Sequence, residues 1–215
     1  MHMKITVSFG YKRKELLFTN FEASFPDKKI TVLCGHNGAG KTTLLKVISG
    51  VFPSEFSLDD TWFVPASGGL IYHFSLKKHL DMLLGNKGIQ PKTLIAEAIS
   101  VFEASDFINK TVSSLSTGQV MLSSIIVALA SGKKTLLLDE PFGCLDPENA
   151  EKLSLLLKKV SDSGITVLLT SHDLGMTAQI ADHLIFIKNG TNVYETDMNS
   201  ETTPSFLLEK YKQVC

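Results

Sequence analysis

No stretch of this sequence stays apolar for long. The longest such run, near Ile125 to Ala130, falls far below the roughly 18 residues that a membrane-spanning helix requires. Cysteine is scarce: Cys34, Cys144 and Cys215 are odd in number and far apart, which argues against a disulfide framework and for a reducing compartment. An excess of one charge is also missing. With 21 basic and 22 acidic residues the net charge is −1, so there is no global electrostatic footprint for nucleic acid or an acidic membrane surface. The start carries no n-region and h-region, and the chain shows neither an internal repeat, nor a low-complexity tract, nor a long coiled-coil pattern. Together these absences predict a soluble, cytoplasmic chain without a nucleic-acid partner. The 215 residues, 44% of them hydrophobic, suit one α/β domain with an appended piece and would be cramped as two.

The strongest positive signal is Gly35-His36-Asn37-Gly38-Ala39-Gly40-Lys41-Thr42, followed by Thr43 and the apolar pair Leu44-Leu45. It fits the pattern G-x-x-x-x-G-K-[ST], and Lys29 to Cys34 just before it is the β-branched, apolar strand that such a loop needs upstream. Thr42, Leu45, Val47 and Ile48, closed by Gly50, predict a short helix behind it. A loop that leaves a strand and feeds a helix aims several backbone N–H groups at one point, the positive end of the helix macrodipole, where a polyphosphate can sit. Lys41 is then expected to reach the β- and γ-phosphates as a point charge, and the Thr42 hydroxyl to be a ligand of Mg²⁺.

Around this loop the chain alternates strands and helices. Lys4 to Phe9 and Leu16 to Phe25 read as an antiparallel pair, with Tyr11 in the turn between them. Trp62-Phe63-Val64-Pro65 is strand-like; from Leu70 the pattern becomes helical, through Leu76, Leu80, Leu83 and Leu84, and again from Pro91 through Leu94, Ile95, Ala98, Ile99 and Phe102. Leu115-Ser116-Thr117-Gly118-Gln119 opens an apolar helix, Met121 to Ala130, with Ser116 as a candidate N-cap. The run Thr135 to Leu138 is a buried strand that ends in Asp139 and Glu140. A strand of a parallel sheet delivers its C-terminal residues to the crevice where ligands bind, so both carboxylates are expected beside the phosphate loop. There, one carboxylate can hold Mg²⁺ through water while the other orients and deprotonates an attacking water. Asp146-Pro147-Glu148 caps the next helix, which runs through Val160. The strand Ile165 to Thr170 ends at Ser171-His172-Asp173, where a γ-phosphate sensor could reach the nucleotide. A helix around Met176 to Ala181, a strand His183 to Ile187, an Asn189-Gly190 hairpin turn, the strand Thr191 to Tyr194 and an amphipathic tail from Pro204 complete the chain.

In this order, these residues resemble the nucleotide-binding subunit of ABC transporters, over nearly the whole chain. Leu115 to Gln119 is similar to the family's LSGGQ signature, Phe142-Gly143-Cys144-Leu145-Asp146 to its D-loop, and Ser171-His172-Asp173 to its switch histidine. The resemblance implies a P-loop NTPase core with a mostly parallel sheet, an N-terminal antiparallel β-subdomain and an inserted α-helical signature subdomain. The corresponding division is 1–66 and 131–200 for the nucleotide-binding core, 67–130 for the helical subdomain and 201–215 for a helical tail. It also implies roles. Tyr11 would stack on adenine; Gly35, His36, Asn37, Gly38, Ala39, Gly40, Lys41, Thr42 and Thr43 would hold the phosphates of ATP; Thr42 and Asp139 would serve Mg²⁺. Glu140 would be the general base and His172 would contact the γ-phosphate. Ser116, Gly118 and Gln119 would close over the nucleotide of a second subunit in a head-to-tail dimer, either a homodimer or a pair with a paralogous subunit. Hydrolysis would drive a separate transmembrane permease faced by the helical stretch, and the chain would sit on the cytoplasmic face of the cell membrane through that partner.

The sequence departs from the family pattern at several places. Ala66 stands where a glutamine normally helps hold Mg²⁺ and links the site to the membrane partner, and the gap from Lys41 to Ala66 is short. Thr117 replaces a usual glycine and Val120 a common basic residue, so slow hydrolysis is expected. A reading from a different class is an ATP-gated interaction module that dimerises on nucleotide and hydrolyses little, with Ala66 as its mark. A small-molecule kinase built on the same loop would leave the signature and His172 without a role.

Overall fold

The computed structural model describes residues 2–11, 15–54, 57–85, 88 and 93–215. Strands β1 (His2–Phe9) and β2 (Phe18–Pro26) form an antiparallel two-stranded sheet. Then follow β3 (Ile30–Cys34), α1 (Lys41–Ile48) and β4 (Thr61–Val64). Helices α2 (Leu76–Leu84), α3 (Leu94–Val101) and α4 (Thr117–Ala130) come next, with two short 3₁₀ turns between α3 and α4. The chain closes with β5 (Thr135–Leu138), α5 (Pro147–Asp162), β6 (Thr166–Ser171), α6 (Leu174–Ile180), β7 (His183–Lys188), β8 (Thr191–Asp197) and α7 (Pro204–Val214).

The second sheet runs in the order β4-β5-β6-β3-β7-β8, parallel throughout except for the β7–β8 hairpin. The expected mostly parallel core with an antiparallel N-terminal pair is therefore what the chain forms. Both faces of this sheet are buried, as parallel strands require. Val32, Leu136, Leu138 and Val167 join a core with α4 and α5 on one face; Leu33, Leu137, Leu168 and Ile185 join a second core with α1 and the β1–β2 sheet on the other. This alternation is the period of two that a pleated strand imposes.

The signature helix α4 starts at Thr117 behind Ser116, the N-cap expected from the sequence, so Thr117, Gly118 and Gln119 form its first turn. The reason is a capping box: the Ser116 hydroxyl accepts from the Gln119 amide while the Gln119 side-chain oxygen accepts from the Ser116 amide, which satisfies two otherwise orphaned donors. The opening of α3 expected at Pro91 lies outside the described residues; the helix begins at Leu94 behind a Thr93 cap. No helix among the described residues is long and apolar enough to cross a membrane.

The β7–β8 turn is held against the phosphate loop. The Gly190 amide donates to the Ala39 carbonyl at 3.0 Å, and Gly190 has φ 73°. A Cβ there would lie 1.7 Å from the Leu17 carbonyl oxygen, whereas at Gly132, with φ 69°, it would meet nothing within 4 Å. Gly132→Ala is expected to cost about 1 kcal/mol for the left-handed backbone alone, and Gly190→Ala clearly more, read from urea midpoints. Equal losses would place the whole cost in the backbone conformation and none in the contact with Leu17.

Cys34 ends β3 directly before the phosphate loop, with its sulfur 3.4 Å from the Thr177 hydroxyl of α6. Burial pushes its thiol up to about 12. Cys144 and Cys215, only partly buried, are raised by the same cause. Maleimide at neutral pH is expected to label Cys144 and Cys215 in the native chain and to reach Cys34 only after denaturation, as read by peptide mass. Native labelling of Cys34 would show that the β3–α6 contact opens.

Candidate active site

The phosphate loop follows β3 and leads into α1. Helices α2 to α7 each begin with a Ser, Thr or Asp side chain that accepts from a first-turn amide; α1 begins at Gly40, φ 108°, with no side-chain cap. Its first-turn N–H groups are thus left for a ligand at the positive end of the helix dipole. The loop apex, His36 to Gly38, is exposed, with the His36 ring donating from Nδ1 to the Asn37 carbonyl at 2.8 Å and Gly38 at φ 84°. Gly35 packs so closely on β7 that a Cβ would lie 2.3 Å from the Ile187 carbonyl oxygen.

Lys41 is 7% exposed. Its Nζ donates to the carbonyls of Gly35 at 2.8 Å and His36 at 3.3 Å, and lies 3.8 Å from Glu140 Oε1. Next to it, the Thr42 hydroxyl donates to both Asp139 oxygens, Oδ1 at 2.9 Å and Oδ2 at 3.0 Å. The carboxylate of Asp139 also accepts from the Thr170 hydroxyl at 2.9 Å. Glu140 sits at φ 47°, a left-handed conformation uncommon outside glycine. That turn carries its carboxylate to the surface, where Oε2 accepts from His172 Nδ1 at 2.9 Å. One hydrogen-bonded cluster therefore unites the ends of β5 and β6 with the loop after β3.

Tyr11 lies against the same cleft. Its hydroxyl is 2.7 Å from the Thr43 hydroxyl, and its ring meets Phe9 and Phe52 edge-on while those two stack on each other. The cleft, of about 410 Å³, is lined by Tyr11, Leu17, the loop from Asn37 to Thr43 and Glu140. Tyr11 is 66% exposed there.

The signature residues do not reach this cleft. Ser116, Gly118 and Gln119 line a separate cavity of about 470 Å³ with Cys144, Asp146 and Asn149. A Cβ at Gly118 would lie 3.2 Å from the Cys144 carbonyl oxygen, which places the helix N-terminus tight against the turn after β5. Thr117 is exposed. Ala66, exposed in the turn after β4, lines a third hollow of about 250 Å³ with Ser67, Leu70, Tyr72, Leu115 and Val120. Val120 packs so closely on Gly68 that a Cβ there would come within 2.6 Å of its methyl, so a bulkier basic side chain would have to leave this contact. Sequence reading missed one threonine: Thr170 passed as an ordinary β-branched strand residue, because it lies within no recognisable pattern.

Comparison with known proteins agrees with this geometry. The ABC transporter family model matches residues 18–143. The chain is 30% identical over 202 residues to the manganese transport system ATP-binding protein MntB of Listeria monocytogenes, covering 84% of this chain and 84% of that protein. With the uncharacterized ABC transporter ATP-binding protein YhaQ of Bacillus subtilis it shares 27% identity, over 89% of this chain and 68% of that one. Among solved structures, an ATP-binding subunit of an ABC transporter superposes with a TM-score of 0.84 at 19% identity, over 99% of this chain and 98% of the other. A dimeric ATP-binding cassette in a post-hydrolysis state, bound to ADP and Pi, gives 0.78 at 23% identity, over 93% and 100%. An uncapped helix behind a glycine-rich loop, two carboxylates at the end of the strand beside it and a family match across both identify this chain as a member of the ABC transporter ATP-binding family.

Proposed function

We propose that this ATPase is the motor subunit of a multi-subunit transporter, dimerising on ATP with a second copy or a paralogous subunit and driving a separate permease. The observation that carries the reading is the convergence of Lys41, Thr42, Asp139, Glu140 and His172 on the uncapped N-terminus of α1. Loop amides and Lys41 bind the phosphates, and the exposed Tyr11 takes the adenine by stacking, worth about 1–3 kcal/mol per base. Glu140, held by His172 and facing Lys41, accepts the proton of the water that attacks the γ-phosphate. ADP and phosphate are the products.

Thr42 and Asp139 fit Mg²⁺. Both present oxygen, already within hydrogen-bond distance of each other, and no cluster of three or more His, Cys, Asp or Glu side chains suited to a metal occurs among the described residues. A two-residue oxygen set suits an ion that takes its remaining ligands from phosphate and water. When bound, Mg²⁺ neutralises charge on the phosphate oxygens.

Ser116, Gly118 and Gln119 line a cavity of their own, which supports a site completed by another subunit: the signature of one copy closes over the cleft of the other. On this reading 1–66 and 131–200 are the nucleotide-binding core, 67–130 a helical subdomain turned toward the permease and 201–215 a tail. The permease then holds the chain at the cytoplasmic face of the membrane. A second reading, a binding switch with little hydrolysis, is favoured by Ala66, whose methyl offers no oxygen at the place of the family's glutamine.

Phosphate release from ATP, measured with Mg²⁺ on the purified chain, separates the two. For the motor, Glu140→Gln is expected to lower turnover by about 10²–10⁴-fold while ATP binding is retained, because an amide cannot take the proton. Wild-type turnover no higher than that of Glu140→Gln would favour the switch. Ala66→Gln is expected to raise turnover, by supplying the missing oxygen; no change would show that this chain does not use that position.

A further inference from the structure

We infer that Thr170 is a positioning residue that sets both site carboxylates at once, an assignment that rests on the ATPase reading of the cleft. The strand order makes it possible. Leu138 of β5 pairs with Leu169 of β6 in parallel register, so the next residue of each strand, Asp139 and Thr170, come out side by side. Thr170 is wholly buried. Its Oγ1 donates to Asp139 Oδ1 at 2.9 Å, and the same atom accepts the Glu140 amide at 2.8 Å. A hydroxyl has one proton to give, and here it goes to the carboxylate while a lone pair takes the amide. One oxygen thus ties the side chain of Asp139 to the backbone of Glu140.

Both ties matter for the geometry of the cleft. Asp139 has two hydroxyl partners, Thr42 and Thr170, and only the Thr170 bond lies entirely behind the site. It is therefore independent of what the Thr42 hydroxyl faces. The Glu140 amide bond holds a residue whose φ of 47° persists only when its surroundings determine it. From that turn the Glu140 carboxylate reaches His172 and comes within ion-pair distance of Lys41. Valine matches threonine in shape and in strand preference, so a position that served the strand alone would accept it. The hydroxyl is what the two bonds require.

The test uses the purified full chain and compares wild type, Thr170→Val and Thr170→Ser, each first shown to be folded by thermal unfolding. The readouts are the Mg²⁺ concentration for half-maximal binding of AMP-PNP, AMP-PNP binding in EDTA, and kcat and KM for ATP. Thr170→Val is expected to raise the half-saturating Mg²⁺ by about 10–100-fold, the usual cost of losing an outer partner of a metal ligand. It should also lower kcat at saturating Mg²⁺, while binding in EDTA, which depends on the loop amides and Lys41, stays unchanged. Thr170→Ser, which keeps the oxygen, should restore both. A wild-type Mg²⁺ response and kcat in Thr170→Val, or a Thr170→Ser as impaired as Thr170→Val, overturns the assignment while leaving the ATPase reading intact. Absence of Mg²⁺-dependent AMP-PNP binding by wild type overturns both. Should Thr170→Val not fold, Thr170→Ala carries the same comparison: it removes the hydroxyl and both of its bonds, and an unchanged Mg²⁺ response sinks the proposal equally.

Discussion

A carboxylate with 4% exposure at the end of an apolar strand is the constraint on which this structure depends. Asp139 follows three consecutive leucines and is sealed from water by two cores, so its hydration must be replaced by protein hydrogen bonds or the burial would cost several kcal/mol. Thr42 and Thr170 replace it. Each comes from a different segment, one from the first turn of α1 and one from β6, which fixes how these elements stand around β5. The buried Lys41 is treated likewise: two loop carbonyls accept hydrogen bonds from its ammonium and Glu140 lies within ion-pair distance. The polar site and the apolar sheet are consequently one construction, each holding the other in place.

Around that construction, conformational cost is concentrated where a ligand would sit. Gly40 opens α1 in a left-handed conformation and leaves the helix uncapped, whereas the other six helices named here close their first turns with a side chain. A glycine in place of a Ser, Thr or Asp cap forgoes about a few tenths of a kcal/mol. The loop is stabilised from outside instead, by the Gly190 amide on Ala39 and by the close packing of Gly35 on β7. Glu140 shows the same economy, since a strained turn at the end of β5 is what directs its carboxylate to His172.

The helical part of the chain obeys the opposite logic. Its signature turn is fully capped by its own residues, Ser116 and Gln119, and packs against the turn after β5 through Gly118. It contributes nothing to the Lys41 cleft in the same chain. A preformed, self-satisfied helix end beside an independent cavity is suited to meeting a second surface, and this separation is why the dimeric reading of the site is the economical one.

The chain alone determined its elements and the identity of its main chemical groups. The phosphate-loop spacing, the apolar run into Asp139 and Glu140, and Ser171-His172-Asp173 are local patterns, and local patterns reflect constraints that act within a few residues: backbone turns, strand burial, capping. The antiparallel start, the parallel core and the Asn189-Gly190 hairpin were legible for the same reason. What only the tertiary structure decided was adjacency. That β6 lies between β5 and β3 follows from no spacing, and it is this order that puts Thr170 against Asp139 and His172 against Glu140. The Tyr11 hydroxyl on Thr43 and the Gly190 amide on Ala39 likewise span 32 and 151 positions of sequence. A threonine that closes a strand is indistinguishable by type from one that holds a carboxylate, because the difference is made by a neighbour that the chain supplies only once it has folded.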